Sequence, residues 1–264
     1  FFLLHRASDD KDIMIDGREV APAAARVDMY LDENGEPLPG ASRDGPLAAG
    51  IPGLPAALVH LAENYGRLPL SESLQPAIRF AEQGFPAYDW HVSRLERLAS
   101  DMNDSAQRVF IPAGKVPVVG SPIYQFDLAE TLRSLAREGH DGFYKGPVAQ
   151  KLLEGVQRDG GIWSEQDLVN YQIIEREPLI GSYRGVTVVS APPPSAGGVG
   201  LINMFNMLSG YDIRGANTVT RVHLLVEIMR RAYRDRGQYL GDPDFVDMPL
   251  DMLLNPFYAV GQRT

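Results

Sequence analysis

Asp16-Gly17-Arg18-Glu19-Val20-Ala21-Pro22 is the stretch on which the reading of this sequence turns. An apolar run, Ile13-Met14-Ile15, leads into a single arginine, and Pro22 in a first-turn position predicts a helix behind it. One guanidinium is then placed at the end of a strand, with backbone held on both sides. A guanidinium can grip a carboxylate through two parallel hydrogen bonds, which lysine cannot copy. Read alone, the segment is better explained as an exposed ion pair of Arg18 with Glu19 or Asp16, a contact worth little, since most arginines are solvated. The motifs that accompany it reverse that preference.

Working outward, Phe1 to His5 and Ile13 to Gly17 read as the two strands of a hairpin around Ala7-Ser8-Asp9-Asp10-Lys11. The loop from Asp32 to Pro52 is rich in Gly, Pro and Asp and reads as exposed. Helical spacing follows over Pro55–Tyr65 before Gly66 and over Ser71–Gln83 before Gly84. Asp127-Leu128-Ala129-Glu130 resembles a capping box, with Gly139 closing that helix. Pro147 suits the first turn of a helix to about Arg158, and Ser164-Glu165-Gln166-Asp167 opens a short one. Strands are expected at Gln172–Arg176, Leu179–Tyr183 and Val186–Ser190, the last β-branched, apolar and read as buried. Two longer helices, Gly198–Leu208 and Val219 to about Tyr239, complete a pattern of helices packed on a sheet. A hairpin of two strands leaves open edges and is a poor start for an autonomous domain.

The bulk numbers set the class. The chain has 264 residues, 44% hydrophobic and 22% charged, enough for one large globular domain spanning residues 1–264. A net charge of −9 gives no attraction to phosphate backbones, so no nucleic-acid partner is expected. Cysteine is absent, which removes thiolate catalysis and cysteine–metal sites and fits an oxidising compartment. Phe1-Phe2-Leu3-Leu4 carries no basic region and does not read as a signal peptide. The longest charge-free stretch, Gly185 to Tyr211, contains Pro192-Pro193-Pro194 and Gly197-Gly198, so it is not read as a membrane span.

No self-sufficient catalytic site is visible. There is neither a Gly-x-Ser-x-Gly elbow nor a His-Glu-x-x-His zinc helix. His5, His60, His91, His140 and His223 are scattered without ligand spacing. Asp242, Asp244 and Asp247 lack the glycine and glutamate of a calcium loop and carry Pro243, so they read as a helix-ending turn. No metal or cofactor is expected. Ser195-Ala196-Gly197-Gly198 reads as a tight turn that lets a helix pack closely, since it matches neither phosphate-binding glycine motif. Leu201, Met204, Phe205 and Leu208 repeat at helical spacing and read as core.

The order of short motifs is the specific signal. After Arg18 come Gly50-Ile51-Pro52-Gly53, Tyr65-Gly66-Arg67-Leu68-Pro69, Gln75-Pro76-Ala77-Ile78 and Ala81-Glu82-Gln83-Gly84-Phe85. Gly142-Phe143-Tyr144-Lys145-Gly146, Gly160-Gly161-Ile162, Asp167-Leu168 with Tyr171, the triple proline and Tyr239-Leu240-Gly241-Asp242-Pro243-Asp244-Phe245 follow. This series resembles the large subunit of γ-glutamyltranspeptidases, members of the N-terminal-nucleophile hydrolases, from about Phe1 to about Tyr258.

The resemblance implies an α+β fold, the αββα sandwich of N-terminal-nucleophile hydrolases, completed by a second, small-subunit chain cut from the same precursor. It implies that Arg18, matching the arginine of the family's Arg-Glu-x-Ala-Pro motif, binds the α-carboxylate of a γ-glutamyl donor. The acceptor would be water, an amino acid or a peptide, and the location periplasmic or secreted. The family's nucleophile is the first threonine of the small subunit, with its own α-amino group as base. Thr264 does not fit that role, because Arg263 acylates its nitrogen, and no catalytic residue is expected in this chain. Two departures stand out: the family pattern usually has serine at Ala196, and Gly17 is commoner among acylase-like members. A cephalosporin or glutaryl acylase, or a non-catalytic binding protein of the same fold, is therefore the alternative reading.

Overall fold

In the computed structural model, which describes residues 1–263, the chain opens with strands β1 (Phe2–Arg6) and β2 (Lys11–Asp16). Helices α1 (Leu54–Asn64), α2 (Leu70–Ser73) and α3 (Gln75–Gln83) follow, then β3 (Phe85–Pro86), α4 (Asp89–Leu98), α5 (Asp104–Phe110) and β4 (Pro122–Ile123). Next come α6 (Phe126–Glu138), α7 (Asp141–Tyr144), α8 (Gly146–Arg158) and α9 (Glu165–Val169). Strands β5 (Ile174–Arg176), β6 (Leu179–Tyr183) and β7 (Val186–Ser190) precede α10 (Ala196–Leu208), α11 (Thr218–Tyr239), α12 (Leu250–Leu253) and α13 (Pro256–Gln262). Two compact units share these elements: Gly17–Ile173 forms one, and Phe1–Asp16 with the chain from Ile174 onward forms the other.

In the unit that holds both ends of the sheet, the hairpin is not two-stranded. Leu3 faces Met14 across β1 and β2, and β5 pairs the other edge of β2, with Met14 facing Arg176 and Asp16 facing Ile174. The central strand is therefore buried from Ile13 to Asp16. A buried carboxylate needs a cation. Arg176 provides it, donating from Nε to Asp16 at 2.8 Å and from Nη1 and Nη2 to Asp244 at 3.1 and 2.7 Å. Asp242 accepts the Asp244 N–H at 3.0 Å, so the acidic cluster is the expected turn after α11. Among the described residues no group of acidic or histidine side chains is arranged to hold a metal ion, and no helix is long and apolar enough to cross a membrane.

The same unit packs α10 against α11, α13 and the β6–β7 ribbon. Gly198 lets α10 approach closely, since a Cβ there would lie 2.1 Å from the Ala191 carbonyl oxygen. The expected apolar stripe holds at Met204, Phe205 and Leu208, which pack in the core, and fails at Leu201. Met207 and Leu208 are buried, Leu201 is 40% exposed, and the inward face carries Asn203 and Asn206. Both asparagines are bonded: Asn203 donates to Asp235 at 3.1 Å and Asn206 to the Leu254 carbonyl at 3.0 Å. Asp235 is itself buried and also accepts from Tyr258 at 3.1 Å, Gln262 at 2.6 Å and Arg234 at 2.9 Å, which ties α13 to α11. Strand β7 is less covered than its composition predicts, with Val186 64% exposed.

The helical unit has one apolar core, which includes Ile51, Val59, Ile78, Leu135, Tyr144, Trp163, Leu168 and Tyr171. Its helices end where glycine allows, as at Gly139 (φ +57°) after α6. Ser164 and Asp167 form a reciprocal capping box on α9. The one expected at Asp127 does not form: α6 starts at Phe126 and Gln125 makes no side-chain cap. The helix expected over Ser71–Gln83 splits at Leu74, because Pro76 has no N–H to continue it. No helix follows Pro22 either; the segment is a series of turns. Its alanines and Val27 are largely exposed, so a helix there would bury no apolar face, and tertiary bonds take its backbone instead.

Candidate functional site

Arg18 lies two residues beyond β2, and its backbone is held from several sides within the helical unit. Val20 and Ile51 exchange backbone hydrogen bonds, the Val20 N–H to Ile51 at 3.2 Å and the Ile51 N–H to Val20 at 2.8 Å. Tyr171, 153 positions later, donates its hydroxyl to the Arg18 carbonyl at 2.7 Å. Asp167 accepts the Ala23 N–H at 2.8 Å while its other oxygen accepts from Ser164. Burial works to raise the Asp167 pKa, and these hydrogen bonds outweigh it, holding the carboxyl below its usual range.

The facing segment, 49–53, is fixed by two more ring donors. Trp163 Nε1 donates to the Ala49 carbonyl at 3.0 Å, and the Tyr144 hydroxyl donates to the Pro52 carbonyl at 2.6 Å. Tyr144 is fully buried, and burial pushes its phenol well above the ordinary value, so it stays a neutral donor. Tyr144 stacks on Tyr171 at 5.4 Å, and His140 stacks on Tyr144 at 4.4 Å while its Nε2 donates to the Tyr171 carbonyl at 3.1 Å.

Glycine is required at two points of this contact. A Cβ on Gly17 would lie 2.5 Å from the Ala57 Cβ. A Cβ on Gly53 would lie 1.9 Å from the Tyr171 hydroxyl oxygen and 2.4 Å from the Gly17 carbonyl oxygen. The motifs that are dispersed along the sequence thus meet around one residue: Gly50–Gly53, Gly142–Gly146 and Asp167–Tyr171 all support Arg18.

The guanidinium itself is about half exposed, and its Nε donates to Glu19 at 3.2 Å. The ion pair with Glu19 that the sequence allowed is therefore present, on a backbone much more rigid than a surface pair needs. Charged, half-exposed and rigidly based, Arg18 has the chemistry to orient an anion. The other expectations locate simply. The five histidines stay apart, with His5 on Asp12, His60 on Asn64 and His91 stacked on Phe85. Thr264 lies outside the described residues. Sequence reading assigned no role to Tyr171, Tyr144 or Trp163 and gave Asp167 only a helix start; their bonds cross up to 153 positions, and motif membership was the signal at Tyr144, Asp167 and Tyr171, with none at Trp163.

The sequence model of one family, Gamma-glutamyltranspeptidase, matches residues 1–264. This chain belongs to the gamma-glutamyltranspeptidase family. It is 40% identical to a glutathione hydrolase proenzyme of Pseudomonas sp. (strain A14), over 99% of this chain and 46% of that protein. It is 35% identical to the Acylase ACY 1 proenzyme of Pseudomonas sp. (strain SE83), over 98% of this chain and 48% of that protein. The crystal structure of Helicobacter pylori gamma-glutamyltranspeptidase superposes with a TM-score of 0.96 at 35% identity, over 99% of this chain and 76% of that one. The fold is thus the expected one, that of the gamma-glutamyltranspeptidase group of N-terminal-nucleophile hydrolases. The chain spans about half the length of the curated relatives that it matches.

Proposed function

We propose that this chain is the large-subunit portion of a γ-glutamyltransferase that acts on glutathione or related γ-glutamyl amides. A small subunit from the same precursor would complete it, in a periplasmic or secreted heterodimer and as a single domain with the rest of the enzyme. The observation that carries this reading is Arg18: one half-exposed guanidinium on a backbone fixed by Tyr171 and by the Val20–Ile51 pair. Arg18 would bind the donor's α-carboxylate in two parallel hydrogen bonds, displacing Glu19. Displacement is cheap, because an exposed pair is worth about 0–1 kcal/mol. With the carboxylate fixed, only the γ-carbonyl reaches the nucleophile.

The nucleophile would be the small subunit's first threonine. Its hydroxyl oxygen adds to the γ-carbonyl while its α-amino group takes the proton. Collapse breaks the amide C–N bond, the proton passes to the leaving amine, and the acyl group moves on to water, an amino acid or a peptide. The test is cleavage of a γ-glutamyl anilide by this chain co-expressed with its partner. Release of the aniline is expected; a well-folded complex without turnover would favour a non-catalytic binding protein.

A second reading keeps the fold and changes the acyl group. Gly17, and the 35% identity to an acylase proenzyme, favour a glutaryl or cephalosporin acylase in which Arg18 holds a dicarboxylate without the α-amine. Comparing γ-glutamyl and glutaryl anilides on one preparation separates the two.

A further inference from the structure

The stack of Tyr144 and Tyr171 does more than fill the core. Among the ring donors in this unit that spend their polar atoms on backbone carbonyls are Trp163 on Ala49, Tyr144 on Pro52 and Tyr171 on Arg18. The first two lie on the supporting segment. The third reaches the peptide of the anion-binding residue itself. Tyr171 is 4% exposed, and its hydroxyl oxygen sits where no residue but glycine could occupy position 53. Its ring is clamped by parallel stacking on Tyr144, with 6° between the planes, so the hydroxyl has little freedom to follow a moving Arg18.

We propose that Tyr171 is the positioning residue for Arg18, fixing the Arg18 carbonyl through its hydroxyl so that the guanidinium is preorganised for the donor carboxylate. This rests on the reading of Arg18 given above. A side chain with four rotatable bonds magnifies small backbone rotations at its tip, so a fixed peptide is needed if two hydrogen bonds are to form together. The hydroxyl donates to the Arg18 carbonyl, so its effect on the donor passes through Arg18.

The assay uses the assembled enzyme and two donors: a γ-glutamyl anilide with a free α-carboxylate, and the same anilide with that carboxylate methylated. The readout is the ratio of their kcat/KM values on one preparation, which cancels any loss of folded enzyme. Tyr171→Phe keeps the ring stack and removes only the hydroxyl. It is expected to lower the ratio about 3- to 10-fold, the range for one lost neutral hydrogen bond, with the effect in KM. Tyr144→Phe, which removes a bond of similar length from the Pro52 carbonyl, is expected to lower the ratio less. A ratio unchanged in Tyr171→Phe but lowered in Arg18→Ala would overturn the proposal and leave the Arg18 reading standing. A ratio unchanged in Arg18→Ala would overturn both.

Discussion

Two glycine-to-alanine substitutions in the helical unit should have opposite signs, and the geometry gives both. At Gly53 the added methyl would start 1.9 Å from the Tyr171 hydroxyl and 2.4 Å from the Gly17 carbonyl oxygen. Ordinary contact begins near 3.4 Å, so about 1 Å of movement is needed even against Gly17. That neighbour is backbone, which does not swing aside as a side-chain tip can. Overpacking of a good core costs about 1–3 kcal/mol, and a clash with two fixed groups belongs at or above the upper end. Gly155 is the control. It lies inside α8, its own φ is not positive, and only the tip of Arg158 is within reach, at 3.9 Å. Alanine there gains helix propensity, about 0.5–1 kcal/mol. Melting of the assembled enzyme should therefore fall by about 6 °C or more for Gly53→Ala, at about 2–4 °C per kcal/mol, and rise slightly for Gly155→Ala. Donor kcat/KM should fall only in the first. Equal melting of Gly53→Ala and the parent, with unchanged kcat/KM, would refute the idea that Gly53 admits Tyr171 to Arg18.

The remaining expectations concern charge and metal. Arg176→Met takes from buried Asp16 the guanidinium that links it to Asp244, and should destabilise by about 3 kcal/mol in thermal melts. Arg176 holds the Asp244 carboxyl below its usual range through hydrogen bonding, against a smaller burial effect. That stabilisation is fully present above the unfolded carboxylate pKa of about 4 and disappears as pH falls through the lower folded value. Arg176→Met should therefore flatten the loss of stability below about pH 4, and a parallel acid limb in both proteins would count against it. Activity should survive prolonged dialysis against EDTA; loss restored by added metal would contradict the absence of a metal role.

How far the sequence could be read depended on whether its signals were local. Helices bounded by glycine or proline were legible, as in α1, α6 and α8, because termination is decided within a few residues. Failures came where distant partners decided. Pro22 promised a helix, but Ala23 gives its N–H to Asp167, 144 positions away. Hydropathy marked Leu201 as core and passed over Asn203, because it cannot know that Asp235 will accept from the buried amide nitrogen. Arg18 was legible as a candidate because its motif is contiguous. Tyr171 and Gly53 were present in motifs, yet their purpose appears only when the hydroxyl is seen above the glycine. Strand β5 was found as a strand, but its place beside β2 was not, since pairing across about 160 positions leaves no local trace.

The central claim is that Arg18 is the carboxylate clamp of a γ-glutamyltransferase. It is tested most directly by kcat/KM for a γ-glutamyl anilide in the parent enzyme, Arg18→Lys and Arg18→Ala, with precursor cleavage measured separately. Losing one hydrogen bond to a charged group should lower kcat/KM about 10- to 100-fold in Arg18→Lys, where the charge remains and the fork is lost, and by more in Arg18→Ala. Precursor cleavage should continue in both variants, because that step uses no donor carboxylate. Near-parent kcat/KM in Arg18→Ala would contradict the account.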